Sequence, residues 1–356
     1  MDSQKYESIA IIKLSALGDI VHTIPAFDIL RKNFPTSRIT WFSEPAGAKL
    51  LQCVEGIDEI VSLNLKVKGV FHFIRNLKQA LSVHRHRYDL IMDFQGLIKS
   101  SVWGWLLDGE VVGFAKKNLR EPQARFFYSR TVPVVDESRH VIYKNMHLAR
   151  SVIFGGADGS VRDSELNHPH YPLKPLVMSA ALKDFMERND LEANGYLILN
   201  IGGGWKTKIL DFDQNLELID GLKRKYKVVI LWGNAPERER ALNLGRKTGA
   251  IISDFFDFQD LILLIKQSLL IITADTLALH LADMVGKPSV GIFGPTSPAR
   301  NGSLRPDSVS VLKKLSCGFC YKKKCGTIEC IKKIQPGWIL EAVGNVDKID
   351  KKVNER

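Results

Sequence analysis

The sequence predicts an α/β protein made of two Rossmann-like halves whose parallel sheets face one central cleft, and three observations lead there. Apolar runs of strand length alternate with amphipathic stretches along the chain, as βαβ units around parallel sheets require. Two of those runs end alike: SIAIIKL runs into SALGD (15–19), and LLIITAD (269–275) runs into TLALHLADMVG. Each is a buried type of strand followed by a small residue, an acid and a helix start. In open α/β sheets, ligands bind outside the carboxyl ends of strands, where helix N-terminal amides hold a phosphate or orient a sugar. Finally, 356 residues are ample for two cores, and two separate mouths suit a chain that brings two substrates together.

Taken in order, the first half predicts strands near 8–14, 38–43, 59–63, 89–94 and 110–114. Helices are expected near 20–33, 46–54, 70–84, 97–107 and 140–154. The stretch GGADGSVRDSELNHPHYPLKP (155–175) has little periodicity and three prolines, and it reads as a linker. The alternation restarts with the strand YLILNI (196–201), then GGG and a helix near 213–225. KVVILW (227–232) is the next strand, followed by helices at 236–249 and near 258–267 and the strand of the second mouth. WILEAVGNVDKI reads as a closing amphipathic helix. The expected division is 1–170 and 171–335 for the two Rossmann-like domains, with 336–356 as closing helix and tail.

Composition narrows the function. No apolar run approaches the length of a membrane span, and the polar MDSQKYES start does not read as a secretory signal, so a cytoplasmic location is expected. The net charge of +11 reads either as general surface lysine or as a preference for anionic partners: lipid headgroups, phosphorylated sugars or nucleic acid. Basic clusters stand at 85–87, 116–117, 321–325 and 331–334, but aromatics do not interleave with them as RNA binding would require, so nucleic acid is not expected.

Several residues carry candidate chemistry. Asp19 follows Gly18, which suits a tight turn, and it reads either as a general base or as the N-cap of the next helix. MDFQGLIKSS (92–101) repeats the design with Asp93, Gln95, Gly96 and Lys99. GGGWKTK (202–208) lets backbone approach a phosphate at Gly203 and Gly204, with Lys208 as a nearby cation. Glu237 opens a helix after a strand, where a carboxylate accepts from ribose hydroxyls or stabilises the helix start. Asp275 and Thr276 stand at a helix start with His280 a turn on, and GPTSP (294–298) is a rigid turn after a strand. Cys317, Cys320, Cys325 and Cys330 are spaced C-x2-C-x4-C-x4-C, compatible with a zinc knuckle or with plain reduced thiols. Cys53 reads as a core residue.

Taken together, SALGDIVHTIP, DFQGLIKSS, LREPQARFFYSR, GGGWKTK, WGNAPERERA, ADTLALHLA and GPTSP resemble the ADP-heptose:lipopolysaccharide heptosyltransferases, and LREP is most similar to the type I enzymes. The resemblance implies a GT-B fold and an inverting transfer that needs no metal or other cofactor, with ADP-heptose as donor substrate. The N-terminal half would hold a Kdo-lipid A acceptor at the inner face of the inner membrane, and the C-terminal half the donor. It implies Asp19 as base. Lys13, Ser15, Gly18, Asp93, Gln95, Lys99 and Arg120 would line the acceptor side. Gly203, Gly204, Lys208, Glu237, Asp275, Thr276 and His280 would line the donor side. Two positions depart from the family pattern: Leu277 stands where Asp-Thr is commonly followed by glycine, and Ile209 and Leu210 replace the usual tryptophan after the lysine. The competing readings are a type II heptosyltransferase or a related transferase using another nucleotide-sugar, and a non-catalytic sugar-nucleotide binding module. An NAD-dependent oxidoreductase is disfavoured because no GxGxxG follows the first strand.

Overall fold

The structure is a computed structural model that describes residues 6–64, 87–155, 161, 165, 166 and 168–354. It divides into two compact units, Met1–Pro175 and Leu176–Arg356. The helix expected near 70–84 lies outside the described residues, as do Arg85 and His86 of the first basic cluster. No helix among the described residues is long and apolar enough to cross a membrane.

In the first unit the elements run β1 (Ser8–Ile12), α1 (Leu17–Val21), α2 (Ile24–Asn33), β2 (Arg38–Ser43), α3 (Pro45–Leu51) and β3 (Glu59–Ser62). Then come β4 (Tyr88–Asp93), α4 (Ile98–Leu106), β5 (Gly109–Gly113), two 3-10 turns (Lys116–Asn118 and Pro122–Phe127), β6 (Arg130–Thr131) and α5 (Val141–Phe154). The sheet order is β3-β2-β1-β4-β5-β6, with every pairing parallel. This is the dinucleotide-fold order, and its switch point lies between β1 and β4. The central strands are apolar on both faces because helices cover both sides. Ile9, Ile11, Ile12, Leu90, Ile91 and Met92 are fully buried.

The helix expected at 20–33 is instead two. Pro25 lies in the first turn of α2 and has no N–H to give the Val21 carbonyl, so the first helix ends at Val21 and a second begins at Ile24. The first helix also starts earlier than expected, at Leu17. Asp19 therefore sits inside its first turn rather than at its cap. Residues 172–174 turn back along 53–55: Val54 bridges Leu173, Glu55 N donates to the Pro172 carbonyl, and Lys174 N to that of Cys53. That pairing attaches the end of the expected linker to the first unit.

The second unit contains α6 (Ala180–Arg188), β7 (Tyr196–Asn200), a 3-10 turn (Lys206–Lys208), α7 (Phe212–Leu222), β8 (Lys227–Leu231) and α8 (Ala235–Thr248). It continues with β9 (Ile251–Ile252), α9 (Phe258–Gln267), β10 (Leu270–Ala274), α10 (Leu277–Met284), β11 (Ser289–Phe293) and β12 (Val309–Leu312). The long helix α11 (Pro336–Asn354) closes it. The order β12-β11-β10-β7-β8-β9 is again all parallel and repeats the first unit's topology, with its switch point between β7 and β10. Its core joins Leu197, Leu199, Ile230 and Ile272 of the sheet to Leu218 and Ile219 of α7 and Ile339 and Val343 of α11. Lys225 holds α11 from outside through the buried Asp347 carboxylate at 2.6 Å.

Candidate active site

Most of the sequence-predicted residues fall at the two switch points, with Arg120 after β5 and Glu237 after β8. In the first unit β1 and β4 run side by side with Ile12 opposite Asp93, so the segments 13–19 and 94–99 leave the sheet together. The Gln95 side chain fastens them: its Oε1 accepts from Leu14 N and Ser15 N, each at 3.1 Å. Beneath lies Lys13, buried, its ammonium donating to the Phe94 carbonyl at 3.0 Å. Burial pushes the Lys13 ammonium below the ordinary lysine range, against the pull of the Asp19 and Asp93 carboxylates.

Asp93 is wholly enclosed and fully partnered. Its Oδ1 accepts from Gln95 N (2.8 Å) and Gly96 N (3.1 Å), and its Oδ2 from Ser100 Oγ (2.9 Å) and the Tyr128 hydroxyl (2.7 Å). Burial raises the Asp93 carboxyl, and these four donors work against it. Such a carboxylate holds loops in place. Asp19, by contrast, is half-exposed, and its Oδ2 accepts a long bond, 3.3 Å, from Ala16 N. His22, the nearest alternative base, is buried, with its ring edge-on to His140. Lys99 meets Glu44 at 3.3 Å, and Arg120 is exposed after the first 3-10 turn.

In the second unit the segments after β7 and β10 converge in the same way. Lys208 donates from Nζ to both the Asp275 carbonyl and its Oδ2, each at 2.8 Å, and the His280 ring stands 3.4 Å from the other carboxylate oxygen. Burial raises the Asp275 carboxyl, but the His280 and Lys208 contacts outweigh it and hold the group below the usual carboxylate range. The anion is therefore buried, and its partner Lys208 keeps 12 % of its side chain in solvent. Thr276 caps nothing itself. Its Oγ1 accepts from Asn200 Nδ2 (3.0 Å), which also donates to Thr273 Oγ1 (3.0 Å).

Glu237 connects the loops after β7 and β8. Its Oε1 accepts from Gly203 N (3.2 Å) and its Oε2 from Gly233 N (2.7 Å), while Asn234 caps its own N–H at 3.0 Å. Glycine at 202 is what admits this carboxylate: a Cβ there would stand 2.3 Å from Glu237 Oε2. Gly204 faces open space within 4 Å. Leu277 is the first residue of α10.

The sequence reading missed a strap. Residues 319–323, inside the cysteine-rich segment, dock on both neighbouring loops. Phe319 N donates to the Gly294 carbonyl (3.2 Å) and Tyr321 N to that of Pro295 (2.8 Å). Ser297 N donates to the Tyr321 hydroxyl (3.3 Å), and Thr207 Oγ1 to the Lys322 carbonyl (3.0 Å). The Trp205 ring then has the Lys208 ammonium 4.3 Å from its centre and the Lys323 ammonium 5.4 Å away. Trp205 was visible within GGGWKTK, and Tyr321 and Lys323 within the basic cluster 321–325, but nothing local tied that cluster to this mouth. Cys317, Cys320 and Cys325 are exposed free thiols and Cys330 is half-buried. Among the described residues no three His, Cys, Asp or Glu side chains are grouped to hold a metal ion.

Two Rossmann-like units, each with a polar mouth at its switch point, make a two-domain α/β glycosyltransferase of the GT-B type. The chain belongs to glycosyltransferase family 9, the heptosyltransferases, whose profile matches residues 74–330. Lipopolysaccharide heptosyltransferase 1 of Pseudomonas aeruginosa is 27% identical over 330 residues, 89% of this chain and 87% of that protein. E. coli heptosyltransferase WaaC with ADP superposes with a TM-score of 0.74 at 18% identity, covering 95% of this chain and 99% of that one. E. coli ADP-heptose lps heptosyltransferase II does so with 0.74 at 17% identity, covering 97% and 99%.

Proposed function

We propose that this chain transfers heptose from ADP-heptose to a Kdo residue of the lipopolysaccharide inner core, with inversion at the anomeric carbon. One observation carries the reading: a half-exposed carboxylate stands at one switch point and a lysine-bearing mouth at the other. Inversion requires the acceptor hydroxyl to attack the face opposite the leaving ADP. That hydroxyl becomes a competent nucleophile as Asp19 removes its proton. Lys208 would offset charge building on the departing ADP, a preorganised cation acting on the transition state. Glu237 would accept from the ribose hydroxyls through lone pairs left over from its amide contacts. Thr276, His280, Gly203 and Gly204 would complete the donor mouth. Lys13, Ser15, Gly18, Asp93, Gln95, Lys99 and Arg120 would shape the acceptor mouth, with Lys13 and Asp93 acting from beneath it.

The names of the relatives support the lipopolysaccharide core as acceptor, and the ADP-bearing neighbour supports the donor. No step calls for a metal or a cofactor. A lipid-linked acceptor would make the enzyme a peripheral protein on the cytoplasmic face of the inner membrane. A second reading, transfer to a core heptose, is kept by the equal fold agreement with both E. coli enzymes. Mass spectrometry after mixing the protein with ADP-heptose and Kdo-lipid A tests the proposal. One added heptose is expected. Product only with an already heptosylated acceptor would favour the second reading, and ADP-heptose binding without turnover on either would mean a binding module.

A further inference from the structure

Helix α4 carries apolar residues on its outer side as well as on its buried side. Its buried side carries Ser100, Ser101, Trp103 and Gly104, where Gly104 lets the helix lie close on the sheet: a Cβ there would meet Ile12 Cδ1 at 3.1 Å. The other side carries Ile98, Val102, Trp105 and Leu106, spaced i, i+4, i+7 and i+8, an apolar stripe turned outward. Ile98 is 39% exposed and Trp105 61%. The stripe continues onto the second 3-10 turn. There Phe127 meets Trp105 edge-on at 6.2 Å, Phe126 is 79% exposed, and Ile98 N donates to Glu121 Oε2 at 2.8 Å. An apolar surface of this kind on a folded unit marks something that covers it.

The surrounding charge says what. Residues 98–130 hold six Lys or Arg against three Asp or Glu. Arg130 is paired with Glu110 at 2.5 Å and Lys99 with Glu44 at 3.3 Å, while Lys116, Lys117 and Arg120 stand exposed. A second copy of the chain would set these cations against their own counterparts. An anionic bilayer instead offers phosphates to the lysines and an acyl boundary to the aromatic rings. We infer that the outward face of α4 and the Pro122–Phe127 turn is the surface by which this protein docks on an anionic lipid bilayer, with Trp105 and Phe126 entering the interface. The inference rests on the reading of the first unit as the half that receives a lipid-linked acceptor.

Co-sedimentation with phosphatidylethanolamine–phosphatidylglycerol vesicles, without substrate, tests it. The wild-type chain should bind, and more weakly as salt rises. Trp105→Ser with Phe126→Ser should weaken partitioning about tenfold or more at every salt concentration, since each ring loses an apolar berth. Lys116→Glu with Lys117→Glu should remove most of the salt-sensitive part. Phe126→Ser alone, at the most exposed position, guards against misfolding, and its melting temperature should match wild type. Wild-type partitioning by the aromatic variant overturns the inference, as does failure of the wild type to bind. So does a change in the aromatic variant's oligomeric state while vesicle binding holds. Transfer to a delipidated, water-soluble Kdo acceptor separates the two ideas. Docking without any transfer would sink the enzymatic reading alone, and transfer to this acceptor by a wild-type chain that does not bind vesicles would sink the docking surface alone.

Discussion

The two mouths share a topology and differ in how they hold their charges. At the β1–β4 switch point Lys13 and Asp93 are both buried and the half-exposed group is a carboxylate, Asp19. At the β7–β10 switch point Lys208 and Asp275 form an ion pair at 2.8 Å, their side chains 12 % and 6 % exposed. The same strand order, repeated, decides where chemistry can occur. How those charges are held decides the kind of chemistry. A half-exposed carboxylate can accept a proton from a hydroxyl, and a lysine in a mouth can meet a diphosphate. Two mouths of one topology thus differ in the chemistry they offer.

The sharpest way to break the contrast is at Asp19. Asp19→Asn keeps the shape and the contact to Ala16 N, yet turnover should fall about 10²–10⁴-fold, the usual cost of removing a positioned base. Turnover kept within about tenfold of wild type would leave Asp19 as a helix-start contact and nothing more. The opposite mouth is probed by Lys208→Ala, which should cost about 10²–10³-fold in rate, as for loss of one preorganised donor. It also leaves the buried Asp275 with His280 alone, so the melting temperature should fall as well. A normal rate with a lowered melting temperature would make Lys208 only a partner for Asp275.

A smaller effect is expected at Glu237. Glu237→Ala should weaken ADP binding roughly tenfold while sparing turnover at saturating donor, because a lost hydrogen bond to a charged group costs on the order of 1.5–3 kcal/mol. Calorimetry on ADP and a saturation curve for ADP-heptose together check this. A fall in turnover with unchanged ADP affinity would reverse the assignment.

The smallest expected effect on activity, though not on stability, is at Asp283, one turn beyond His280. Burial lifts its carboxyl to about 6, against the Ser303 hydroxyl and the charges of His280 and Arg305. The folded chain thus holds this proton more tightly than the unfolded chain, whose Asp titrates near ~3.9. The contribution is complete below about pH 4 and is lost as pH rises through about 6. Asp283→Asn should therefore stabilise the second unit above that range, by at most about 3 kcal/mol, and flatten the stability slope between. Denaturant titrations across this pH range would show it, and a slope identical to wild type would contradict it.

What was legible in the sequence is what is local. Apolar runs with a small residue and an acid at their ends marked β1, β4 and β10, and a run ending in three glycines marked β7. The strands β6 and β9 have two residues each, too few to show a period. Helix α6 was readable and went unread: Ser179 caps it and Asn189 closes it, as start and stop signals should. The partners were not legible. Tyr128 reaches Asp93 across 35 positions, Gly203 reaches Glu237 across 34, and Thr207 reaches Lys322 across 115. No spacing in the chain encodes such pairs, because folding brings them together. The glycines of GGGWKTK invited a phosphate reading, yet the one at 202 makes room for the Glu237 carboxylate instead.

The central claim is that the two mouths divide the work, with the donor nucleotide belonging to the second. Titration calorimetry of ADP into the wild type, Asp19→Asn and Lys208→Ala, each checked for a native melting transition, tests it most directly. The account predicts that Asp19→Asn binds ADP as the wild type does and that Lys208→Ala binds it markedly more weakly. Loss of ADP affinity in Asp19→Asn, with full affinity kept in Lys208→Ala, would contradict it.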